Sequence, residues 1–228
     1  MKIVVFTGAG ISAESGIQTF RDSDGLWEKN RIEDVATLDA FNRNPQFVLD
    51  FYNERRKQIL SVSPNKAHIA IAKLQAHHEV LVITQNIDDL HERAGSKNVV
   101  HLHGEIIKAR SSGDEEYVVN LTKTDIELGD LCPKGHQLRP HIVWFGEAVP
   151  KMFEANKIAE SAEVFIIIGT SLNVYPAAGI IDYVSPDCSI YLVDPKDIGV
   201  PVYRNLKHIK ANAGEGVPEL LKQWIPTS

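Results

Sequence analysis

Four short apolar runs, rich in β-branched residues, stand out along the chain: KIVVF at 2–6, VLVIT at 80–84, VFIII at 164–168 and SIYLV at 189–193. They are continuously hydrophobic rather than alternating, which suits strands buried on both faces, as in a parallel sheet. Each is followed by a polar or glycine-rich cluster: TGAG, QNID, GTSL and DPKD. The pattern predicts an α/β fold with a Rossmann-like parallel sheet, its ligand chemistry lying beyond the carboxyl ends of the strands.

Between the first two runs lie about 75 residues with no strand-like pattern but with helical periodicity, from Pro45 to Val62 and from Asn65 to His78. A second strand-poor, polar stretch runs from Lys108 to Arg139. The expected organisation is one catalytic domain with two parts: a large sheet part made of 1–28, 79–107 and 140–228, and a smaller helical module inserted as 29–78 and 108–139.

Composition narrows the class. At 228 residues, 43% hydrophobic and 24% charged, the chain reads as an ordinary globular protein able to bury a large core. A net charge of -6 argues against a dedicated nucleic-acid binder. The first strand begins directly after Met1, and the longest apolar run is far too short to span a bilayer. A cytoplasmic protein away from membranes is expected, with Cys132 and Cys188 as free thiols and no requirement for more than a monomer.

Three clusters carry candidate chemistry. Gly8-Ala9-Gly10-Ile11-Ser12 follows a strand, where glycines allow a tight turn and bring backbone N–H groups to a pyrophosphate, or serve the turn alone. The later glycine spacing does not fit a dehydrogenase fingerprint. Gln85, Asn86 and Asp88 stand at a strand end, where amides and a carboxylate could hold ribose hydroxyls or simply cap a helix. In His101-Leu102-His103-Gly104, alternation puts both histidines on one face, and a glycine after His103 would let substrate approach; such a histidine is a general base or a hydrogen-bonded structural residue.

In order and spacing, GAGISAESGI, FRDSDGLW, TQNIDDLHERAG, HLHGE, HIVWFGE and GTSLNVYPAAG resemble the motifs of the sirtuins, the NAD-dependent protein deacylases, and most of all their bacterial class III group. The resemblance runs from Lys2 to about Ala178 and more weakly beyond. It implies that NAD is a consumed co-substrate and that acyl-lysine proteins are the partners. It implies a cofactor site of Gly8, Ala9, Gly10, Ser12, Glu14 and Ser15, with Phe20, Arg21 and Trp27 in a covering loop, and with Gln85, Asn86, Ile87 and Asp88 around nicotinamide and its ribose. Gly169, Thr170, Ser171 and Ala213 would meet the adenosine half. His103 would be the general base beside Asn86 and Asp88, and Val143, Phe145 and Gly146 would wall an acyl-lysine tunnel, pairing with an extended substrate by strand addition.

The helix beginning at Pro45 adds a clue to the acyl group. Phe47, Phe51, Arg55 and Ile59 recur every four residues, so Arg55 stands in line with an apolar stripe, beside Tyr52. Tyr52-x-x-Arg55 matches the class III feature implied to bind the terminal carboxylate of succinyl- or malonyl-lysine. The alternative is an arginine snorkelling to an acid such as Asp50 or Glu54.

Two departures from the family are visible. Its two zinc-binding cysteine pairs are reduced here to Cys132 followed by His136, a degenerate zinc ribbon, so no zinc is expected. Leu192 replaces an asparagine implied to touch the adenosine ribose. The alternatives to deacylation are ADP-ribose transfer to protein, NAD hydrolysis, and a non-enzymatic NAD-sensing module.

Overall fold

The computed structural model describes residues 1–19, 31–197 and 205–225; Phe20, Arg21 and Trp27 lie outside the described residues. The strands are β1 (Lys2–Thr7), β2 (Glu79–Thr84), β3 (Val99–His101), β4 (Gly104–Ser111), β5 (Val118–Asn120), β6 (Leu138–Ile142), β7 (Val164–Ile168), β8 (Ser189–Val193) and β9 (Leu206–Ile209). The α-helices are α1 (Gly10–Ala13), α2 (Ile32–Val35), α3 (Leu38–Arg43), α4 (Pro45–Ser61), α5 (Lys66–Leu74), α6 (Leu90–Arg93), α7 (Met152–Glu160) and α8 (Ala213–Leu221).

All four apolar runs are strands of one parallel sheet, in the order β3-β2-β1-β7-β8-β9. All five residues of β7 are buried, which is why its sequence does not alternate. Side chains on one face, Ile3, Val5, Ile166 and Ile168, pack with Ile71, Leu74, Val217 and Leu221 of α5 and α8. Val4, Phe6, Phe165 and Ile167 pack on the other face with Ala155 and Ala159 of α7 and with Ile180 and Ile181. The chain order reverses between β1 and β7, and there the loops after the two strands part to leave a crevice.

A second core joins α2, α3 and α4 to a small antiparallel sheet of order β5-β4-β6. Helix α4 starts where Asn44 Oδ1 accepts the Phe47 N–H at 3.2 Å with Pro45 in the first turn. Its inward face is partly polar: Arg56 donates to the carbonyls of Ile106 and Thr124, and Asn53 brackets Ile126, accepting from its N–H and donating to its carbonyl.

Two expectations are corrected. The helix over 66–74, placed by the sequence in the inserted module, packs instead in the core of the large sheet. The stretch from Lys108 to Arg139, expected to be strand-poor and part of a helical module, holds the end of β4, all of β5 and the start of β6. These strands escaped notice because β5 is three residues long and β4 is interrupted by a bulge between Glu105 and Ala109.

Candidate active site

A cavity of about 420 Å³ opens at the reversal point of the sheet. Its walls include Gly8, Ala9, Gly10 and Glu14 after β1, Gln85, Asn86 and Ile87 after β2, and Gly169, Thr170 and Ser171 after β7. Val193, Asp194, Asn212 and Ala213 line the same cavity from β8 onward, and His103, Tyr52, Arg55, Val143, Phe145 and Gly146 line it from the side of the smaller core. Ser12, Ser15 and Asp88 are not in the lining.

The glycines of the first loop answer to packing. A Cβ on Gly8 would lie 2.7 Å from Thr170 Cβ, and one on Gly10 would lie 2.6 Å from Gly169 Cα. The Gly8 and Gly10 N–H groups donate to the carbonyls of Ile168 and Gly169 at 3.0 and 2.8 Å. Those two amides are therefore spent joining the β1 and β7 loops and do not face a pyrophosphate. Gly104 is likewise not there for substrate: its φ is +84° and a Cβ would sit 2.0 Å from the His141 carbonyl oxygen across the β4–β6 pair.

Ser12, fully buried, links two loops from behind. Asn86 Nδ2 donates to Ser12 Oγ at 3.1 Å, and Ser12 Oγ donates to Asp88 Oδ2 at 3.0 Å. Asp88 also accepts the Leu90 N–H two residues on, a turn just before the helix, while burial pushes its carboxyl above the ordinary carboxylate range. The Asn86 amide is thus oriented by a carboxylate that does not itself touch the cavity. Ser15 accepts from Asn65 at 3.1 Å, and Glu14 accepts the Gly214 N–H at 2.6 Å, tying the first loop to the start of α8.

The histidines of HLH separate. His103 Nδ1 lies 2.9 Å from the Gln85 carbonyl oxygen; a carbonyl only accepts, so Nδ1 carries the proton and Nε2 keeps its lone pair. Burial lowers the His103 pKa below the usual histidine value, against the raising effect of the Gln85 carbonyl. His101 instead lies between two acceptors, the Asn86 carbonyl at 2.9 Å and Glu92 Oε1 at 2.8 Å. Burial opposes its charge, but Glu92 outweighs it and the pKa is raised. Glu92, on α6, is thus the carboxylate partner of His101.

At the other end, Tyr52 and Arg55 are both buried. Arg55 donates to Gln58 Oε1 and to the Gln18 carbonyl, each at 2.8 Å. Burial pulls its pKa down to about 10 despite the nearby carboxylate of Asp88. The acids of its own helix are engaged elsewhere, Asp50 with Gln46 and Glu54 with Lys57. Tyr52 Oη accepts the Trp144 Nε1–H at 3.0 Å, and burial raises the phenol well above its usual range. Trp144, in the middle of HIVWFGE, is a site residue to which the sequence reading gave no role beyond membership of the tunnel wall. Leu192 is buried in the core, while Val193 and Asp194 line the cavity, so the side chain standing in for asparagine does not face the site.

In the region of the degenerate ribbon, Ser111 Oγ lies 3.4 Å from Cys132 Sγ, and the His136 ring packs on Gly113. Among the described residues no three His, Cys, Asp or Glu side chains are grouped so as to hold a metal ion. One thiol with a hydroxyl neighbour does not make the four-ligand set of a structural zinc site.

Behind the site, Thr7 Oγ1 donates to Thr84 Oγ1 at 2.8 Å and lies 3.1 Å from His91 Nε2, and the His91 ring meets the His68 ring edge-on. Burial lowers the His68 pKa to about 4 and that of His91 well below the ordinary value. Groups with depressed folded-state pKa values hold the fold above their unfolded pKa and cease to do so as pH falls through the folded one. Stability is therefore expected to decline as pH drops from 6.5 towards 4, by roughly 3 kcal/mol for His68 alone. Urea midpoints measured across this window test it; a flat profile, unchanged in a His68→Gln variant, would contradict it.

The arrangement is that of a known family. The Sir2 family model matches residues 8–176, and the chain belongs to that family. It is similar to the NAD-dependent protein deacylases of Bacteroides thetaiotaomicron and Helicobacter pylori, each 51% identical over 98% of this chain and 98% and 97% of theirs. Among solved structures, a Sir2 homologue in complex with NAD superposes with a TM-score of 0.88 at 38% identity, covering 97% of this chain and 88% of the other. A Sir2 protein holding a p53 peptide and NAD gives 0.80 at 30% identity, covering 97% and 92%. Among the described residues, no helix is long and apolar enough to cross a membrane.

Proposed function

We infer that this chain is an NAD-dependent protein-lysine deacylase, and we propose that it prefers acyl groups ending in a carboxylate, succinyl and malonyl, over acetyl. The preference rests on one observation: a buried arginine and a buried tyrosine face the same cavity as His103. A desolvated guanidinium favours an anionic partner, and a planar fork beside a phenol matches a carboxylate in shape and charge.

The large-sheet side of the cavity is the NAD site. Bound NAD supplies the ribose carbon that accepts the acyl oxygen as nicotinamide departs. Gln85 and Asn86, the latter steered by Ser12 and Asp88, face nicotinamide and its ribose; Thr170, Ser171, Asp194 and Ala213 face the adenosine half. His103 Nε2 takes the proton of a ribose hydroxyl, and its Nδ1–H is anchored on Gln85, so the ring is aimed before substrate arrives. Phe20, Arg21 and Trp27 are assigned to the covering loop by family resemblance alone.

The acyl-lysine lies along Val143 to Gly146. The amides of Val143 and Phe145 donate to the carbonyls of His103 and Ala36, and that of Trp144 to Glu147, so a substrate strand pairing here donates its own N–H groups to the carbonyls of this segment. We propose that the small antiparallel sheet is held by packing and hydrogen bonds without zinc, and that the protein works in the cytoplasm, in keeping with two buried free cysteines.

Mass spectrometry of a reaction with NAD and a succinylated peptide is expected to give free peptide, nicotinamide and O-succinyl-ADP-ribose in equal amounts. ADP-ribosylated protein, or ADP-ribose formed without peptide, would support the transferase or hydrolase reading instead.

A further inference from the structure

We propose that Trp144 is a specificity-determining positioning residue, fixing the direction in which Tyr52 offers its hydroxyl proton to the acyl carboxylate. The inference rests on the acidic-acyl reading above and deepens it.

A phenol has one proton to give and lone pairs with which to accept. The Tyr52 oxygen accepts the indole N–H of Trp144 at 3.0 Å. Indole nitrogen only donates, so this bond has a single polarity, and it leaves the Tyr52 O–H as a donor with no acceptor recorded among the described residues. Tyr52 is 4% exposed and lines the cavity beside Arg55, so the unspent proton belongs to whatever group binds there. An acetyl methyl offers it nothing, whereas a terminal carboxylate accepts it together with the Arg55 fork.

Trp144 is held more firmly than a cavity wall requires. The Arg139 guanidinium carbon stands 4.1 Å from the centre of its ring, and the Phe41 ring lies 5.4 Å away. Glu147 grips both ends of the stack: Oε1 accepts from Arg139 at 2.5 Å, and Oε2 accepts the Trp144 backbone N–H at 2.8 Å. Arg139 is itself buried, so the pair is little screened by solvent. The indole plane, and with it the N–H that orients Tyr52, is fixed from the face and from the main chain.

Trp144→Phe keeps an aromatic ring and removes the N–H. The KM for a succinylated peptide is expected to rise about five-fold more than that for the acetylated peptide, the equivalent of one neutral hydrogen bond, with the effect falling on KM rather than kcat. The distinguishing measurement is a cycle with Tyr52→Phe. If Trp144 acts through the Tyr52 hydroxyl, Trp144→Phe costs nothing further once that hydroxyl is gone. Equal losses in both backgrounds, or equal losses on both peptides, would make Trp144 a packing residue and overturn the proposal. Arg139→Gln guards against misfolding of the tryptophan variant, and it is expected to shift the succinyl KM in the same direction. Full retention of succinyl KM in both Trp144→Phe and Arg139→Gln, with Arg55→Met impaired, overturns this inference and leaves the acidic-acyl reading standing. A wild-type enzyme with no preference for the succinylated peptide overturns both.

Discussion

Replacing His103 by alanine is expected to lower kcat for deacylation by about 10²- to 10⁴-fold, the range lost with a positioned general base. The size of the effect follows from geometry. Nδ1 is committed to the Gln85 carbonyl, leaving Nε2 with its lone pair for the cavity, and no other histidine lines that wall. Burial lowers the pKa of His103, so its base form predominates at neutral pH, and the acidic limb of kcat/KM is expected below the ordinary histidine value of 6.5. His101, two residues away, is the natural control: tied between Glu92 and the Asn86 carbonyl, it has no free lone pair to offer. Steady-state kinetics across pH decide the matter, and a His103→Ala enzyme retaining wild-type deacylation would remove the assigned base.

Arg55→Met is expected to cut kcat/KM for a succinylated peptide by roughly 30-fold or more while costing the acetylated peptide far less, because truncating one partner of a buried charge pair leaves the other charge without compensation. The same burial that lowers the Arg55 pKa to about 10 makes its guanidinium sensitive to the charge of the bound acyl group. Methionine approximates the length and apolar stem of arginine and can still pack in helix α4; the lost bonds to Gln58 and Gln18 affect both peptides, so the difference between the peptides reads the charge. Equal losses on both peptides would mean that Arg55 supports the fold of the cavity rather than reading the acyl carboxylate.

The parallel sheet was legible because its strands are buried on both faces, and a run such as VFIII has one reading. The antiparallel strands were not, since GEIIKARS mixes charge with apolar residues on a half-buried, bulged strand. Motif residues were found where spacing alone places them at strand ends, as with Asn86 and Thr170. What spacing could not tell was direction. It could not say that the Gly8 and Gly10 amides turn to the neighbouring loop, that Asp88 acts on Asn86 through Ser12, or that Leu192 points into the core. It favoured His103 over His101 only through Gly104, a glycine that serves the β4–β6 pair, whereas the folded chain separates them by bringing Glu92 to one and the cavity to the other. The role of Trp144 was hidden for a related reason: an aromatic in an apolar motif reads as wall or core, and its value lies in one N–H whose partner is 92 residues away in sequence.

The most direct test of the account places succinylated and acetylated versions of one peptide together with NAD and the purified protein, and follows both peptides and nicotinamide by mass spectrometry. The account predicts that the succinylated peptide is consumed first, with one nicotinamide released for each acyl group removed. Preferential consumption of the acetylated peptide, or nicotinamide release that does not follow peptide deacylation, would contradict it.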